Sequence, residues 1–349
     1  MTLGHKYIFR TLPRLLTMWF EHSSTLKPDE RTKSNRTLDV LKRDLAPHVW
    51  LSVFSQLVSR ICHPDNQILT CLKDIIAKVL HRHPKQTLWS LVAVLKSSQS
   101  SRHLNAKDIR KRAEELAETD KSTGAKKAID DFMGRLVEEL IKVCNLAQTT
   151  SSGQSSKGPR VLSMSKSCRA LSQMSNLESV IVPIQSSLTP AFPSTGNPLQ
   201  AQNPFSANPV TIRSFGDRVD VMSSLMCPVV IMVFGSDGKQ YKFLCKPKDD
   251  LRKDSRMMDL NTMINRLLMK DSDSRRRNLY IRTFSVIPLN ENNGLIEWVN
   301  DTVVYRDILQ NLYSSELGPA SIKTSRIQDL YNRELKPRGP HNLLDFYQK

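Results

Sequence analysis

The sequence predicts an α+β protein of several domains, in which an all-α, solenoid-like region precedes a small unit of one antiparallel sheet and one helix. Through residues 1–147 apolar side chains recur every three or four positions, which is the period of amphipathic helices. Residues 148–209 are rich in serine, with threonine and glycine first and proline later, as flexible linkers are. Over residues 210–313 the pattern changes to short alternating and β-branched runs, which are typical of strands.

Apolar stripes and His-Pro dipeptides divide the first region into short helices. A helix pair is expected near the start of the chain, and further helices over 47–61, 65–81, 85–96, 106–119 and 125–146. Short helices joined by tight turns indicate an α-solenoid of antiparallel pairs. No strict repeat period is visible, so the pattern does not assign a repeat family.

The strand-rich region contains one strong helix. Its predicted elements are strands over 229–234, 240–245, 279–289 and 294–299, a helix over 254–270 and, inside the linker, a short strand near 180–184. The first two strands flank a Gly-Ser-Asp-Gly-Lys turn, which favours a β-hairpin. Several antiparallel strands and one helix make a small α+β unit.

Composition limits the classes of function. The formal net charge is +17, but basic residues are spread along the whole chain and aromatic residues make up only 6%. Direct nucleic-acid binding would need a basic face interleaved with aromatic residues, so this composition argues against it.

The six cysteines form no Cys-x-x-Cys pair, which indicates reduced thiols inside a cell and no zinc motif. No run of 18 apolar residues occurs, so no membrane span is expected.

The string CKPKDDLRKD at 245–254 carries the most specific chemistry in the chain. Lys246 ends a predicted strand and Asp254 opens the predicted helix. Kinases use such an arrangement to place an ammonium group against the phosphates of ATP and to hold it with a carboxylate. The string therefore indicates nucleotide binding.

Several strings resemble the phosphatidylinositol-3-kinase-related protein kinases, and among them the DNA-damage checkpoint kinases. They are GSDGK (235–239), CKPKDDLRKD (245–254), SRRRNLYIRTFSVIPLN (274–290) and GLIEWVN (294–300). Upstream, KYIFRTLPRLLTMWF (6–20), FSQLVSRICH (54–63) and VIVPIQSSLTP (180–190) resemble the end of the helical FAT region and its connection to the kinase. The resemblance implies that 1–147 are the C-terminal part of a FAT region and that 210–313 form a kinase N-lobe. Residues 314–349 would be the truncated start of a C-lobe that is otherwise missing.

The resemblance also implies which residues hold ATP. Lys246 would contact the phosphates, and Asp254 would pair with it or orient it. The phosphate-facing turn would be Gly235, Ser236 and Gly238, the hinge for adenine Glu297, Trp298 and Val299, and the lining of the adenine pocket Leu244, Phe284 and Ile296. By pattern alone, the turn is an ordinary hairpin and the apolar residues are core residues. Mg²⁺ would need ligands from the missing C-lobe.

By the same resemblance, the parent protein would be a nuclear serine/threonine protein kinase of DNA-damage and replication-stress signalling. Its substrates would be proteins with serine or threonine followed by glutamine, and it would bind a regulatory partner subunit. Homo-oligomers through the helical region are compatible with the resemblance.

The catalytic loop and the metal-binding motif of the family do not occur in these residues. No Gly-Asp-Arg-His run follows residue 300, and Asp345-Phe346 is the only Asp-Phe dipeptide there, with no catalytic loop before it. Without a base, no group orients the nucleophile for transfer of a γ-phosphoryl group, and without Mg²⁺ ligands the negative charge of the phosphates is not neutralised. We therefore expect the chain alone to be inactive, and poorly soluble because an N-lobe without its C-lobe exposes apolar surface.

Three alternatives stay open. The main one is a non-catalytic helical interaction module, for example a truncated product that competes with the active kinase. A lipid-kinase relative is disfavoured by the string at 245–254, which resembles the protein-kinase branch. A basic scaffold for nucleic acids would show sequence-independent binding with a steep salt dependence.

Overall fold

A computed structural model describes residues 8–22, 25–121, 123–149, 160–191 and 204–317, together with residues 329, 332 and 333. The chain divides into two compact units, Met1–Trp298 and Val299–Lys349. The first unit contains a helical region and a sheet. In the second unit, the described residues form one long helix, which is Tyr305–Leu317. Most of the last predicted segment, 314–349, lies outside the described residues.

The helical region begins the first unit. Its helices are α1 (Ile8–His22), α2 (Pro28–Asp44), α3 (Pro47–Trp50), α4 (Phe54–Ser59), α5 (Asn66–Arg82), α6 (Pro84–Leu95), α7 (Ser100–Thr119), α8 (Thr123–Ile129), α9 (Val137–Cys144) and α10 (Leu146–Thr149). The helix pair predicted from the apolar groups up to Phe20 is wrong, because these residues lie on the single helix α1, which continues through Pro13. The predicted helices over 65–81 and 85–96 agree with α5 and α6 to within one residue at each end.

Local sequence explains where α5 begins and which of its faces is buried. The Asp65 carboxylate accepts hydrogen bonds from the backbone N–H groups of Gln67 (2.9 Å) and Ile68 (3.1 Å), which caps the first turn. The apolar stripe that includes Ile68, Leu72 and Ile76 is completely buried. The cap fixes the start of the helix, and the stripe fixes the face that enters the core.

Two predicted helices are interrupted. The helix expected over 47–61 is divided into α3, a 3₁₀ turn at Leu51–Val53, and α4. There the Ser52 hydroxyl donates to the carbonyl of Val49, and serine bonds of this kind bend helices. The helix expected over 125–146 contains a π-helical segment, Asp130–Leu136, between α8 and α9, and the Asp131 carboxylate in it accepts from the Ser179 hydroxyl at 2.5 Å.

The sheet has eight antiparallel strands. They are β1 (Arg160–Ser163), β2 (Ser175–Ile181), β3 (Thr211–Phe215), β4 (Arg218–Val221), β5 (Val229–Gly235), β6 (Gln240–Pro247), β7 (Val286–Pro288) and β8 (Asn293–Glu297). β5 pairs with β3 and β4 on one side and with β6 on the other, and β8 and β7 follow β6. β1 pairs with β4, and β2 pairs with β3. Short helices in the connections are α11 (Met164–Ser167), α12 (Arg169–Ser172), α13 (Gln185–Leu188) and α15 (Ser272–Arg276). The longer helices are α14 (Arg252–Lys270), between β6 and β7, and α16 (Tyr305–Leu317) in the second unit.

The predicted flexible linker over 148–209 is wrong for β1 and β2. Both strands are paired in the sheet, and the strand expected near 180–184 is the end of the longer β2. The ladder partners lie in β3 and β4, between 30 (Ile181 to Thr211) and 61 (Arg160 to Val221) residues further along the chain. Local composition carries no sign of such distant pairing, so a serine-rich segment of a strand has the same composition as a linker. The rest of the predicted linker is only partly described.

The strand predicted over 279–289 is confirmed only for β7. Residues 279–285 are outside the ladder, and Leu279, Tyr280 and Ile281 are exposed. The buried amide of Asn265 on α14 donates to the Ile281 carbonyl (2.7 Å) and accepts from the Ile281 N–H (2.8 Å). The side chain thus takes both backbone groups that a neighbouring strand would use.

One face of the sheet is buried against the helical region. On β6, Phe243 and Cys245 are buried, whereas Lys246 alternates with them on the other face. Helix α9 covers the buried face, and the Cys144 sulfur at its end lies 3.7 Å from the Gly294 carbonyl of β8. The helices and the sheet therefore share one core and leave the opposite face of β6 and β8 open.

Two classes of site are not found in the described part of the chain. None of its helices has the length and apolar character that a membrane crossing requires. It also holds no cluster of three or more histidine, cysteine, aspartate or glutamate side chains arranged to bind a metal ion.

Gly294 is expected to tolerate no side chain. A Cβ atom there would lie 2.6 Å from the Ile287 carbonyl oxygen and 2.6 Å from Leu251 Cδ1. Gly294→Ala should lower the free energy of unfolding by about 1–3 kcal/mol, as overpacked sites do. The matched control is Gly124→Ala in α8, where a Cβ meets nothing within 4 Å and alanine favours the helix. Equal unfolding midpoints for the two variants in a urea titration would contradict this.

His83, between α5 and α6, is expected to make stability depend on pH. It is 7% exposed, and burial, with nearby His48 and Arg82, lowers its pKa to about 4. The unfolded chain, with a histidine pKa near 6.5, binds more protons between these values, so stability falls as the pH drops through this window. The loss from this residue should be about 1 kcal/mol between pH 7 and pH 5.5. Urea titrations at both pH values should show a smaller difference for His83→Gln than for the wild type.

Candidate functional site

Lys246 forms an ion pair on the open face of the sheet. Its Nζ lies 2.6 Å from Oδ2 of Asp249, three residues further on. The lysine side chain is 34% exposed and the aspartate 40%. The pair is therefore held in place by the protein and still reachable by an anionic ligand.

A sharp turn after β6 brings Asp249 back to Lys246. Lys248 has a φ of 51°, in the left-handed region that costs most residues about 1 kcal/mol or more. The Asp249 N–H donates to the Asn292 carbonyl at 3.0 Å, and Leu251 is completely buried. These contacts hold the strained turn and so fix the carboxylate beside the ammonium group.

The predicted pairing of Asp254 with Lys246 is wrong in this structure. α14 begins at Arg252, so Asp254 lies in its first turn, where it is exposed. The ion-pair partner of Lys246 is Asp249 instead. The sequence signal for Asp249 as the partner was the acidic pair that directly follows Lys-Pro-Lys. Local sequence did not show that the chain turns back toward Lys246 at this point.

The predicted glycine turn lies at the other end of the hairpin from Lys246. The β5–β6 ladder places Phe234 opposite Gln240 at the turn and Val229 opposite Cys245. Lys246 is thus six residues along β6 from Gln240, roughly 20 Å at about 3.4 Å per residue. The turn is also tied to β3, since the Ser236 hydroxyl accepts from the Thr211 N–H. The structure does not bring Gly235, Ser236 and Gly238 together with the lysine.

The turn between β4 and β5 lies at the lysine's end of the sheet, and sequence reasoning missed it. Val221 pairs with Val229, which pairs with Cys245 on β6. The connecting residues Ser223 and Ser224 are exposed. Consecutive serines between two strands were the available signal, but their position relative to Lys246 follows only from the register.

The hinge segment is tied to the sheet and to the segment before β3. Glu297 Oε2 accepts hydrogen bonds from the N–H groups of Ser285 and Gln185, both at 2.8 Å. The Trp298 N–H donates to the Lys242 carbonyl at 3.0 Å. The carboxylate of Glu297 is thus a structural acceptor, and its backbone ends β8.

The predicted apolar residues are half-buried. Leu244 and Ile296 are cross-strand partners on the face that carries Lys246. Phe284 and Trp298 are also half-buried. Val299 belongs to the second unit, where its carbonyl accepts from the Thr302 hydroxyl, so its place in the hinge stays a prediction.

This arrangement suits a ligand with a planar apolar part and a phosphate part. Leu244 and Ile296 offer an apolar surface, and Lys246 offers a compact positive charge with one carboxylate partner. Ligand sites combine apolar walls with a few placed polar groups in this way, and lysine binds phosphate as a point charge.

Glu297 is expected to matter for stability through its two backbone donors. Glu297→Ala would leave the Ser285 and Gln185 N–H groups without an acceptor, which should cost about 1–3 kcal/mol. Glu297→Gln retains a carbonyl oxygen at the Oε2 position and should lose less. Glu178→Ala, an exposed carboxylate, is the control. Thermal unfolding that ranks alanine and glutamine variants equally at position 297 would contradict the assignment.

Comparison with known proteins finds two family matches, one in the helical region and one that begins within the sheet. Residues 33–133 match the family described as serine/threonine-protein kinase ATR-like, HEAT repeats. Residues 240–347 match the family described as phosphatidylinositol 3- and 4-kinase. The first match lies within the helical region, and the second begins at β6.

Curated relatives cover nearly the whole chain. It is 38% identical over 98% of its length to the serine/threonine-protein kinase ATR of Oryza sativa subsp. indica and 40% identical over 89% to that of Arabidopsis thaliana. It is 32% identical over 97% to the protein kinase rad3 of Schizosaccharomyces pombe. The chain spans only 13%, 12% and 15% of these relatives.

Solved structures show the same fold. The FAT and kinase domain of CtTel1 matches with a TM-score of 0.70 and 21% identity, over 95% of this chain and 22% of that chain. The open conformation of CtTel1 matches with the same score over 12% of its chain. The fold is therefore a helical region of the FAT type followed by a kinase N-lobe. The chain belongs to the ATR-like branch of the phosphatidylinositol-3-kinase-related protein kinases.

Proposed function

We propose that this chain is the segment of an ATR-like serine/threonine protein kinase that binds ATP with its N-lobe. The observation that carries the proposal is the ion pair between Lys246 Nζ and Asp249 Oδ2, which lie 2.6 Å apart. Both side chains are partly exposed on the open face of the sheet. The cofactor is ATP. Protein substrates, a regulatory partner subunit and a nuclear, DNA-damage role are proposed for the parent kinase from the family it belongs to.

In this proposal Lys246 binds the phosphates, and Asp249 holds its ammonium group in place. Asp254 lies in the first turn of α14 and is not the ion-pair partner of the lysine. The adenine lies against Leu244, Phe284, Ile296 and Trp298 and bonds to the backbone of Glu297. The β4–β5 turn with its two serines is better placed for the phosphates than Gly235, Ser236 and Gly238, because it lies at the lysine's end of the sheet.

Phosphoryl transfer needs more than these residues supply. Transfer requires a base or orienting group for the nucleophile and metal ions that neutralise the γ-phosphate. The Gly-Asp-Arg-His run that would supply the base is not in the sequence. We therefore propose that the 349 residues by themselves bind nucleotide weakly and transfer no phosphoryl group, with Mg²⁺ held by C-lobe ligands in the parent kinase.

A second candidate function is a helical interaction module that competes with the active kinase. An apolar groove of about 900 Å³ between α1 and α2 supports it, and Leu15, Met18, Trp19 and Leu38 are among its lining residues. A solved CtTel1 structure is a dimer with C2 symmetry, which supports the proposal of homo-oligomers. This function predicts partner binding that survives the loss of Lys246.

Titration of the chain with ATP tests the nucleotide proposal. Lys246→Met should weaken binding about tenfold or more, which corresponds to about 1.4 kcal/mol. The matched control is Lys242→Met, because Lys242 is an exposed lysine on the same face of β6. No radioactive phosphate should pass to a serine peptide in any sample. Equal affinities for the two variants, no binding by the wild type, or measurable transfer would each contradict part of the proposal.

A further inference from the structure

One carboxylate joins the helical region to the turn between β7 and β8. Glu291 Oε1 accepts from the Ser97 hydroxyl at 2.5 Å, and Oε2 accepts from the Ser98 N–H at 3.2 Å. Both serines lie in the loop between α6 and α7, and Ser97 is 8% exposed. Partial burial alone would raise the pKa of Glu291, but these bonds and nearby Arg252 hold it below its ordinary value. The carboxylate therefore stays charged at neutral pH.

The same turn holds the partner of Lys246. The residue after Glu291 is Asn292, whose carbonyl accepts from the Asp249 N–H at 3.0 Å. Asp249 in turn accepts from Lys246 Nζ at 2.6 Å. Adjacent residues of β8 pair with the end of β6, with Gly294 opposite Lys246. A short series of hydrogen bonds thus runs from the α6–α7 loop to the ammonium group.

We propose that Glu291 is a positioning residue, which transmits the placement of the α6–α7 loop through Asn292 and Asp249 to the ammonium group of Lys246. The inference rests on the proposed function in one respect, namely that Lys246 holds the nucleotide phosphates. A movement of the helical region that withdraws Ser97 and Ser98 then loosens the lysine. The helices thereby regulate nucleotide affinity without touching the nucleotide.

Two variants of Glu291 in the full chain test the proposal. Glu291→Ala removes both acceptors. Glu291→Gln keeps both contacts, since its carbonyl can accept from the Ser98 N–H while the Ser97 hydroxyl accepts from its amide. Glu178→Ala again controls for the loss of an exposed carboxylate.

The first measurement is hydrogen exchange, which reports local opening amide by amide. In Glu291→Ala the Asp249 amide should exchange about tenfold faster while amides of α5 keep their wild-type rates, since the variant opens one turn and not the whole fold. Glu291→Gln should restore slow exchange at Asp249. A merely structural role would speed exchange throughout the unit or leave Asp249 unchanged.

The second measurement follows the lysine itself. With limiting acetic anhydride, acetylation of Lys246 relative to Lys242 should rise several-fold in Glu291→Ala, because an amine released from its carboxylate is more reactive, and return in Glu291→Gln. Where ATP binds the wild type, its Kd should rise in the alanine variant only. Unchanged exchange at Asp249 or unchanged acetylation of Lys246 would overturn the proposal. Failure of the wild type to bind ATP would instead overturn the proposed function, because exchange and acetylation need no nucleotide.

Discussion

Burial of one face of the sheet against the helical region is the contact on which the rest of the structure depends. Because side chains alternate along β6, covering Phe243 and Cys245 with α9 leaves Lys246 on the uncovered face. The apolar contact stabilises the sheet, and the alternation of side chains places Lys246 where a ligand can reach it. A register shift of one residue would exchange the two faces and bury the ammonium group instead.

The site itself depends on backbone strain that the surroundings stabilise. Lys248 adopts a left-handed conformation, and the Asn292 carbonyl and the buried Leu251 hold the turn on either side of Asp249. Strained residues persist where their neighbours over-determine them, and such places are often functional. Here the strain places a carboxylate next to the one lysine that the family resemblance assigns to phosphate.

The helices and the order of the two regions could be predicted from sequence, because caps and apolar periods are local. Asp65 and the stripe of α5 are an example. β1 and β2 could not be predicted, since their partners lie far along the chain, and neither could the loss of pairing around Ile281, which Asn265 causes from another element. Within the candidate site, the motif predicted Lys246, whose role stays a prediction. Its partner Asp249 could not be predicted, because the left-handed turn at Lys248 and the contact with Asn292 bring it back to the lysine.

The strands β1 and β2 bear on what counts as a module in this protein. The kinase family match begins at residue 240, which is the first residue of β6, whereas five strands of the same sheet precede it. A polypeptide cut at that boundary would carry bare strand edges and an uncovered apolar face, both of which promote aggregation. The segment that recurs as a recognisable unit of sequence is therefore smaller than the sheet, and the helical region covers the apolar face of that sheet.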